Sequence, residues 1–112
     1  MNQQELVWVR FPFSSLTAGK VRPAVVVSNS RYNQDRRDVV ACAITSRLDE
    51  EDYSIFIDNE NLSSGNLPVR SRIRADKIML LEKTLIIRAF ARLDDQTFDT
   101  VVQEIAKIVQ RG

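Results

Sequence analysis

Short apolar runs divided by polar stretches occupy the first half of the chain. The run at residues 5–11 alternates its side chains between two faces and stops at Pro12, which predicts a β-strand. The runs at residues 23–28 and 39–44 are apolar on both faces and predict strands buried at the centre of a sheet. Residues 53–58 predict a fourth strand, whereas the polar stretch between the two central strands is too long for a tight hairpin.

The next part of the chain gives weaker signals. Residues 59–68 are polar and predict a loop. Residues 70–76 alternate between serine, isoleucine and alanine on one face and charged side chains on the other. The charged face carries Arg70, Arg72, Arg74 and Asp76. Residues 77–81 and 86–90 predict short strands or single turns.

The C-terminal segment carries the clearest helical pattern. Asp94 can cap a helix, and Asp95 is favourable in its first turn. Leu93 and Phe98 have the spacing of a hydrophobic staple. Apolar side chains recur at helical spacing in Phe98, Val101, Val102, Ile105, Ile108 and Val109. This stripe predicts a helix that packs against the core or against a dimer partner.

Several short strands and one terminal helix predict a mainly β protein. Closely connected strands of this length favour a small antiparallel barrel or half-open barrel, with the helix over one opening or edge. The length of 112 residues predicts a single domain that spans residues 1–112.

The composition excludes several classes of chemistry. Cys42 is the only cysteine and the chain has no histidine. An intrachain disulfide, a Cys/His zinc site and a Ser-His-Asp triad are therefore excluded. No phosphate-binding P-loop or dinucleotide fingerprint is present, and the acidic turn at residues 48–52 is typical of a solvated surface loop. We therefore expect neither a metal nor a cofactor.

Charge is unevenly distributed along the chain although the net charge is only +1. Residues 1–37 sum to +4, residues 38–69 to −6 and residues 70–112 to +3. This pattern predicts a basic surface built from the two ends of the chain, with the acidic middle segment kept apart. Since no signal peptide or membrane-spanning run is evident, we expect a soluble cytoplasmic protein.

An arginine and a hydroxyl stand at the ends of the two buried strands. Arg22 precedes the first of these strands, and Thr45 and Ser46 follow the second. If the strands pair antiparallel, Arg22 and Thr45 lie at the same end. That pair suits a phosphate group, although residues in such places are often simply solvated. The arginine face of residues 70–76 can likewise be a solvent face with an Arg–Asp ion pair.

Five short motifs follow one another along the chain. They are Phe11-Pro12-Phe13-Ser14, Gly19-Lys20-Val21-Arg22-Pro23-Ala24-Val25-Val26-Val27-Ser28, Ala43-Ile44-Thr45-Ser46, Ser71 with Asp76-Lys77-Ile78, and Ala91-Arg92-Leu93-Asp94. In this order and spacing they resemble the MazF/PemK family, the endoribonuclease toxins of toxin–antitoxin pairs. The likeness runs from about residue 4 to the end of the chain.

The resemblance implies a fold, an activity and partners. The fold is a small SH3-like barrel of the PemK/CcdB type with a C-terminal helix. The activity is metal-independent, sequence-preferring cleavage of single-stranded RNA, which leaves a 2′,3′-cyclic phosphate and a free 5′-hydroxyl. The partners are a second copy of the chain, in a homodimer, and a cognate antitoxin, expected to be small and acidic.

The resemblance also implies roles for particular residues. Arg22 and Thr45 match the catalytic arginine and threonine of the family. Some members use an Arg-x-Asp element, which Arg74 and Asp76 match, but the histidine that accompanies it there has no counterpart in this chain. Gln4-Glu5 and Ala91 are milder departures from the family pattern.

The remaining candidates are contacts to RNA and a general base. Phe13, Ser46 and Arg47 are candidates for contacts to bases. Lys20, Arg70, Ser71 and Arg72 complete the predicted RNA-binding set. The base that removes the 2′-hydroxyl proton stays open between Asp76, Glu82 and an arginine.

Two other functions remain open at this point. One is a gyrase-binding toxin related to CcdB, and the other is a passive binder of single-stranded nucleic acid. The presence of both Arg22 and Thr45 favours the nuclease, because neither alternative needs this pair.

Overall fold

An antiparallel sheet of seven strands curls into a half-open barrel in the computed structural model, which describes residues 1–11 and 20–112. Within those residues the elements are β1 (Glu5–Phe11), β2 (Lys20–Val26), α1 (Ser30–Asn33), β3 (Asp38–Thr45), β4 (Ser54–Ile57), β5 (Leu62–Gly65), β6 (Ser71–Glu82), β7 (Ile86–Leu93) and α2 (Asp95–Val109). The strand order is β4-β6-β3-β2-β1-β7-β5. The predicted mainly β fold with a C-terminal helix is confirmed.

The central strands are apolar on both faces because each face of the sheet is buried. One cluster, under α2, includes Leu6 and Val25. The cluster on the opposite face includes Val7 and Val26. Strands covered on both sides read as continuous apolar runs, which explains the composition of β2 and β3.

Helix α2 begins as the sequence predicts, and the start of its apolar stripe is buried in the core. The Asp94 carboxylate accepts a hydrogen bond from the Thr97 backbone N–H at 2.7 Å. Phe98 and Val101 are buried in the cluster under the helix. The end of the stripe does not contribute to this core, because Val109 is 74% exposed. The described residues contain no helix long and apolar enough to cross a membrane.

Two predictions in the weaker part of the sequence are wrong. The predicted loop at residues 59–68 contains β5, which pairs with β7 and gains its order from that strand. Residues 77–81, predicted as a separate short strand or turn, belong instead to one strand of twelve residues, β6, which also includes most of the alternating segment at 70–76. That strand extends without a break because it pairs with β3 on both sides of a register shift. Near its start it also pairs with β4.

Gly65 closes strand β5 in a backbone conformation that an L side chain rarely adopts. Its φ is +78°, and a methyl group here would lie 2.6 Å from Ala91 Cα and closer still to the Phe90 carbonyl oxygen. We expect Gly65→Ala to lower the free energy of unfolding by at least about 2 kcal/mol, since left-handed strain and a backbone clash add. Denaturant titration measures this change. Gly112→Ala is the control, because a methyl group there meets no atom; equal effects of the two variants would contradict the prediction.

Candidate functional site

The register between β2 and β3 brings Arg22 and Thr45 to the same end of the sheet. The two strands pair antiparallel with Ala24 opposite Ala43, so the residues two positions further out face each other. Arg22 and Thr45 both line one cavity of about 210 Å³ and a second cavity of about 350 Å³. The predicted proximity of an arginine and a hydroxyl is therefore a feature of the structure.

The smaller cavity, called here the charged cavity, is lined almost entirely by polar side chains. Among the described residues that line it, five are cationic and two are carboxylates. The lining residues are Arg22, Thr45, Arg47, Asp49, Glu51, Ser54, Arg72, Arg74 and Lys77. An enclosed site with this excess of positive charge favours an anion.

The larger cavity, called here the apolar cavity, shares one wall with the charged cavity. Arg22, Thr45, Arg74 and Lys77 line both of them. The other described residues that line it are Phe11, Pro23, Ala43, Ile44 and Met79. The shared wall therefore has a polar space for a charged group on one side and an apolar surface on the other.

Arg22 and Thr45 are both available to a ligand. Arg22 is exposed, and among the described residues its guanidinium has no hydrogen-bond or ion-pair partner. The Thr45 hydroxyl oxygen accepts a hydrogen bond from the Arg47 backbone N–H at 3.2 Å. Because the hydroxyl oxygen is the acceptor in this bond, its proton can be donated to a ligand oxygen.

Arg74 is held by two carboxylates. Its Nε and Nη2 donate to the two carboxylate oxygens of Asp76, each at 2.9 Å. Its Nη1 lies 3.0 Å from Glu51 Oε2. The hydrogen bond from Arg74 holds the pKa of Asp76 below its usual value, and the same bond raises the pKa of Arg74. Both groups are therefore charged at neutral pH.

The acidic turn at residues 48–52 does not stay apart from the basic residues as the charge pattern predicts. Asp49 and Glu51 line the charged cavity. The Ser54 hydroxyl accepts a hydrogen bond from Arg72 Nε at 2.9 Å and donates to the Glu51 carbonyl at 2.7 Å. The pairing of β4 with β6, which places Ser54 opposite Arg74, brings the turn onto the cationic side of the charged cavity. This side, called here the basic wall, consists of Arg22, Arg47, Arg72, Arg74 and Lys77.

Sequence reasoning missed four residues of the charged cavity: Asp49, Glu51, Ser54 and Lys77. The signal that could have found three of them was the antiparallel pairing of the strand at 53–58 with the arginine-bearing strand. Lys77 directly follows the Arg-x-Asp element, and strand alternation alone assigns it to the opposite face from Arg74 and Asp76. The register shift in the β3–β6 pairing between Cys42 and Ile44 interrupts that alternation.

The other predicted residues lie in several places. Ser46 and Arg70 line a third cavity, of about 570 Å³, outside the shared wall. Lys20 is exposed at the start of β2 and lines neither of the first two cavities. Phe13 lies outside the described residues.

Two predicted residues are not where their roles require. Ser71 is buried and its hydroxyl donates to the Val69 carbonyl at 3.0 Å, so its side chain is not open to RNA. Glu82 pairs with Asp38 at the start of β3, whereas Thr45 ends that strand. Seven residues of strand separate the two ends by roughly 20 Å, so the prediction of Glu82 as a base is wrong.

No group of three or more metal-ligating side chains is placed to hold a metal ion within the described parts of the chain. Cys42, the one thiol, is buried, and its burial raises the pKa to about 12. The thiol is therefore protonated at neutral pH and does not act as a nucleophile. The chemistry available at the shared wall is hydrogen bonding and charge stabilisation by guanidinium, hydroxyl and ammonium groups.

Solved structures with the same fold align over nearly the whole chain. An endoribonuclease in complex with its cognate antitoxin, from a mycobacterial species, aligns with a TM-score of 0.80 and 16% identity over 100% of this chain and 99% of that chain. A MazE–MazF complex from Deinococcus radiodurans aligns with a TM-score of 0.79 and 20% identity over 100% and 97% of the two chains. MazF from the same organism aligns with a TM-score of 0.71 and 24% identity over 97% and 96%.

At these identities the structural likeness shows a shared fold. The sequence matches no curated protein. Residues 2–109 do match the family described as PemK-like, MazF-like toxin of type II toxin-antitoxin system. This match confirms the resemblance that the five motifs indicate, and because it covers almost the whole chain, the chain belongs to the PemK/MazF family of type II toxin–antitoxin toxins.

Proposed function

We propose that this chain is an endoribonuclease toxin that cuts single-stranded RNA in the cytoplasm without a metal ion, with Arg22 and Thr45 as its catalytic residues. The observation that supports the proposal is the position of these two side chains on the wall shared by the charged and apolar cavities. A nucleotide likewise combines a charged phosphate, which suits the charged cavity, with an apolar base face, which suits the apolar cavity. The neighbouring structures named as endoribonucleases have the same fold.

The reaction is a displacement at phosphorus. The ribose 2′-oxygen attacks the adjacent phosphorus, the P–O2′ bond forms and the P–O5′ bond breaks. The 2′-hydroxyl loses its proton to a base, and the departing 5′-oxygen gains a proton. The products are a 2′,3′-cyclic phosphate and a free 5′-hydroxyl, with no water or metal consumed in this step.

Each of the two residues has a task that its geometry suits. The guanidinium of Arg22, which has no partner among the described residues, can direct several N–H donors at the phosphoryl oxygens as their negative charge grows. The Thr45 hydroxyl donates its proton in a hydrogen bond to a non-bridging oxygen, while the Arg47 N–H holds its oxygen in place. Fixing the phosphate in this way aligns the attacking 2′-oxygen.

The Arg74–Asp76 pair suits a positioning role better than a catalytic one. Both oxygens of Asp76 accept hydrogen bonds from Arg74. The lowered pKa of Asp76 makes it a weak proton acceptor at neutral pH. We therefore favour Arg22 and Thr45 over this pair, and the acceptor of the 2′-hydroxyl proton is not assigned.

The path of the RNA follows the two cavities. Phe11 and Met79 give the apolar cavity surfaces on which an unpaired base can pack. Arg47, Arg72 and Lys77 line the charged cavity, where the RNA backbone would bind. Ser46 and Arg70 can extend this contact from the third cavity. Ser71 is left out of the proposed set because it is buried.

Two protein partners are also proposed. Fold-related structures include toxins bound to antitoxins, and we infer that this chain binds a cognate antitoxin whose acidic segment can cover the basic wall. Exposed apolar side chains on β6, such as Ile78 and Leu80, suit a homodimer contact. Neither the basic wall nor the exposed apolar side chains of β6 gives a reason to prefer the gyrase-binding toxin or the passive binder to the nuclease.

Arg22→Ala should abolish RNA cleavage while the fold stays intact. Loss of a fixed donor to the transition-state phosphate costs roughly 3–4 kcal/mol, or about 10²–10³ in rate. Arg22→Lys should also be impaired, because an ammonium does not reproduce the planar fork. Thr45→Ala should lose less activity than Arg22→Ala, and Thr45→Ser should retain part of it. Single-turnover rates on one RNA measure these effects, with circular dichroism to check the fold.

Arg31→Ala is the matched control for Arg22→Ala. Arg31 is an exposed arginine on α1 at the other end of β2, so the control removes the same charge without touching the cavities. An Arg22→Ala variant that cuts within a few-fold of Arg31→Ala would contradict the catalytic assignment. Binding of both RNA and DNA without cleavage by the unmodified protein would favour the passive binder.

Cleavage should persist in EDTA. The proposed reaction stabilises charge with guanidinium and hydroxyl groups, so chelation should change the rate by less than about twofold. The assay is RNA cleavage by protein dialysed against EDTA, compared with the same protein after addition of magnesium. Complete loss of cleavage that magnesium restores would overturn the metal-independent scheme.

The pKa of Asp76 should depend on Arg74. The hydrogen bond from Arg74 lowers the pKa of Asp76 in the folded protein. The contribution of this pair to stability is therefore present above the pKa that Asp76 has in the unfolded chain, and it is lost as the pH falls through the lower pKa of the folded state. Arg74→Ala should move the Asp76 pKa upward in a carboxyl-carbon NMR titration. Arg47→Ala, which removes a partner of Asp49 instead, should leave it unchanged. An Asp76 pKa unaffected by Arg74→Ala would show that the pair does not control this carboxyl.

A further inference from the structure

A carboxylate from the acidic turn occupies the basic wall at the place where an anionic ligand would bind. Glu51 Oε2 lies 3.0 Å from Arg74 Nη1, and both side chains line the charged cavity. A carboxylate and a phosphate present the same kind of group to arginine, namely negatively charged oxygens that accept N–H bonds. Glu51 therefore marks a position on Arg74 that is suited to an anion.

Arg74 has one edge fixed and one edge available for exchange. A guanidinium carries five N–H donors, and Nε and Nη2 are engaged with Asp76 through both carboxylate oxygens. That bidentate contact holds the plane of the guanidinium. The outer edge, which includes Nη1, forms its ion pair with Glu51 alone among the described residues.

We propose that the outer edge of Arg74 is a second phosphate subsite for the RNA backbone, adjacent to the phosphate held by Arg22 and Thr45. In the structure without RNA, the Glu51 carboxylate fills this subsite, and the RNA phosphate displaces it on binding. The identity of the ligand as RNA rests on the proposed function. The subsite itself rests on the geometry around Arg74.

The two acidic partners of Arg74 differ in how easily they can leave. Asp76 makes two hydrogen bonds to Arg74 and is 35% exposed, whereas Glu51 makes one ion-pair contact and is 46% exposed. An exposed single contact of this kind contributes little. Displacement of Glu51 is therefore easier than displacement of Asp76, and it leaves Arg74 oriented.

The backbone of the turn is held by several hydrogen bonds, whereas the Glu51 carboxylate is held, among the described residues, only by its ion pair to Arg74. The Glu51 carbonyl accepts the hydrogen bond from Ser54, which is itself bonded to Arg72. Tyr53 turns the chain into β4 with a φ of +61°, and its carbonyl accepts a hydrogen bond from the Ala75 N–H at 2.9 Å. The carboxylate can swing away from Arg74 by side-chain rotation, with no rearrangement of this anchored backbone.

The proposal makes Glu51 a residue that sets the affinity for RNA. While Glu51 occupies the outer edge, an RNA phosphate has to compete for Arg74. Removal of the Glu51 charge should strengthen RNA binding, because the phosphate no longer competes with a carboxylate for Arg74. It should also steepen the dependence of affinity on salt, because no displaced carboxylate then takes up a cation when the RNA releases its own counterions. For single strands each phosphate contact adds about 0.7 to the magnitude of the log–log slope.

The test compares Glu51→Gln with Glu50→Gln. The two variants change the net charge equally within the same turn, but Glu50 does not line the charged cavity. The probe is a fluorescent, fully 2′-O-methylated RNA, which cannot be cut, and its affinity is measured by anisotropy over a range of salt concentrations. We expect Glu51→Gln to bind about two- to fivefold more tightly than Glu50→Gln, with a steeper salt slope. In an Arg74→Ala background the advantage of Glu51→Gln should vanish.

Equal affinities of the Glu51→Gln and Glu50→Gln variants, or an advantage that survives Arg74→Ala, would overturn the subsite. Cleavage of unmodified RNA by the same proteins separates this failure from failure of the proposed function. If the unmodified protein cuts RNA but the two variants bind alike, the nuclease stands and the subsite is wrong. If nothing cuts but Glu51→Gln binds more tightly in an Arg74-dependent way, the subsite stands and the nuclease is wrong. Loss of cleavage in Glu51→Gln with unchanged binding would also overturn it, and would give Glu51 a role in proton transfer.

Discussion

The antiparallel register of β2, β3 and β6 is the constraint on which the site depends. These strands are apolar and buried in their middle portions, so a shift of one residue would move buried side chains to the wrong face. The fixed register in turn fixes which strand ends meet. Arg22, Thr45 and Arg72 come together because the pairs Ala24–Ala43 and Thr45–Arg72 are set by the packing of the core several residues away.

Two arginines of the shared wall, Arg22 and Arg74, differ in whether a carboxylate neutralises them. This difference decides which of them is available to the reacting phosphate. Arg74 is neutralised by Asp76 and Glu51, whereas Arg22 has no such partner among the described residues. A guanidinium without a partner can donate hydrogen bonds to a phosphate directly, whereas one paired with a carboxylate must first release that carboxylate. In our account Arg22 therefore carries the reacting phosphate, and Arg74 acts beside it on the backbone of the same RNA.

The sequence predicts those features that depend on local pattern. Strands β1 to β3 follow from apolar periodicity, and Asp94 caps α2 as its position indicates. The meeting of Arg22 and Thr45 follows from one assumption, the antiparallel pairing of neighbouring strands. The alternation in residues 70–76 is also correct, since Ile73 and Ala75 are buried and Arg74 is more exposed than they are.

Features that depend on distant pairing could not be predicted in this way. Strand β5 has few apolar residues and owes its order to β7. Glu51 has no local signal that distinguishes it from Glu50, and only the pairing of β4 with β6 brings it to Arg74. The position of Glu82 far from Thr45 is likewise set by the pairing of β6 with β3. The burial of Ser71 is different, because the alternation places it on the same face as Ile73 and Ala75.

NMR spectroscopy can show whether RNA places its phosphate at the wall shared by the two cavities. Arginine Nε–H and backbone amide signals would be followed while the fully 2′-O-methylated RNA is added to the full-length protein. A phosphate bound at the shared wall should change the Nε–H signal of Arg22 and the amide signals of Thr45 and Arg47 first and most. Changes confined to Arg31, Arg36 and Arg37, at the other end of the central strands, would contradict it.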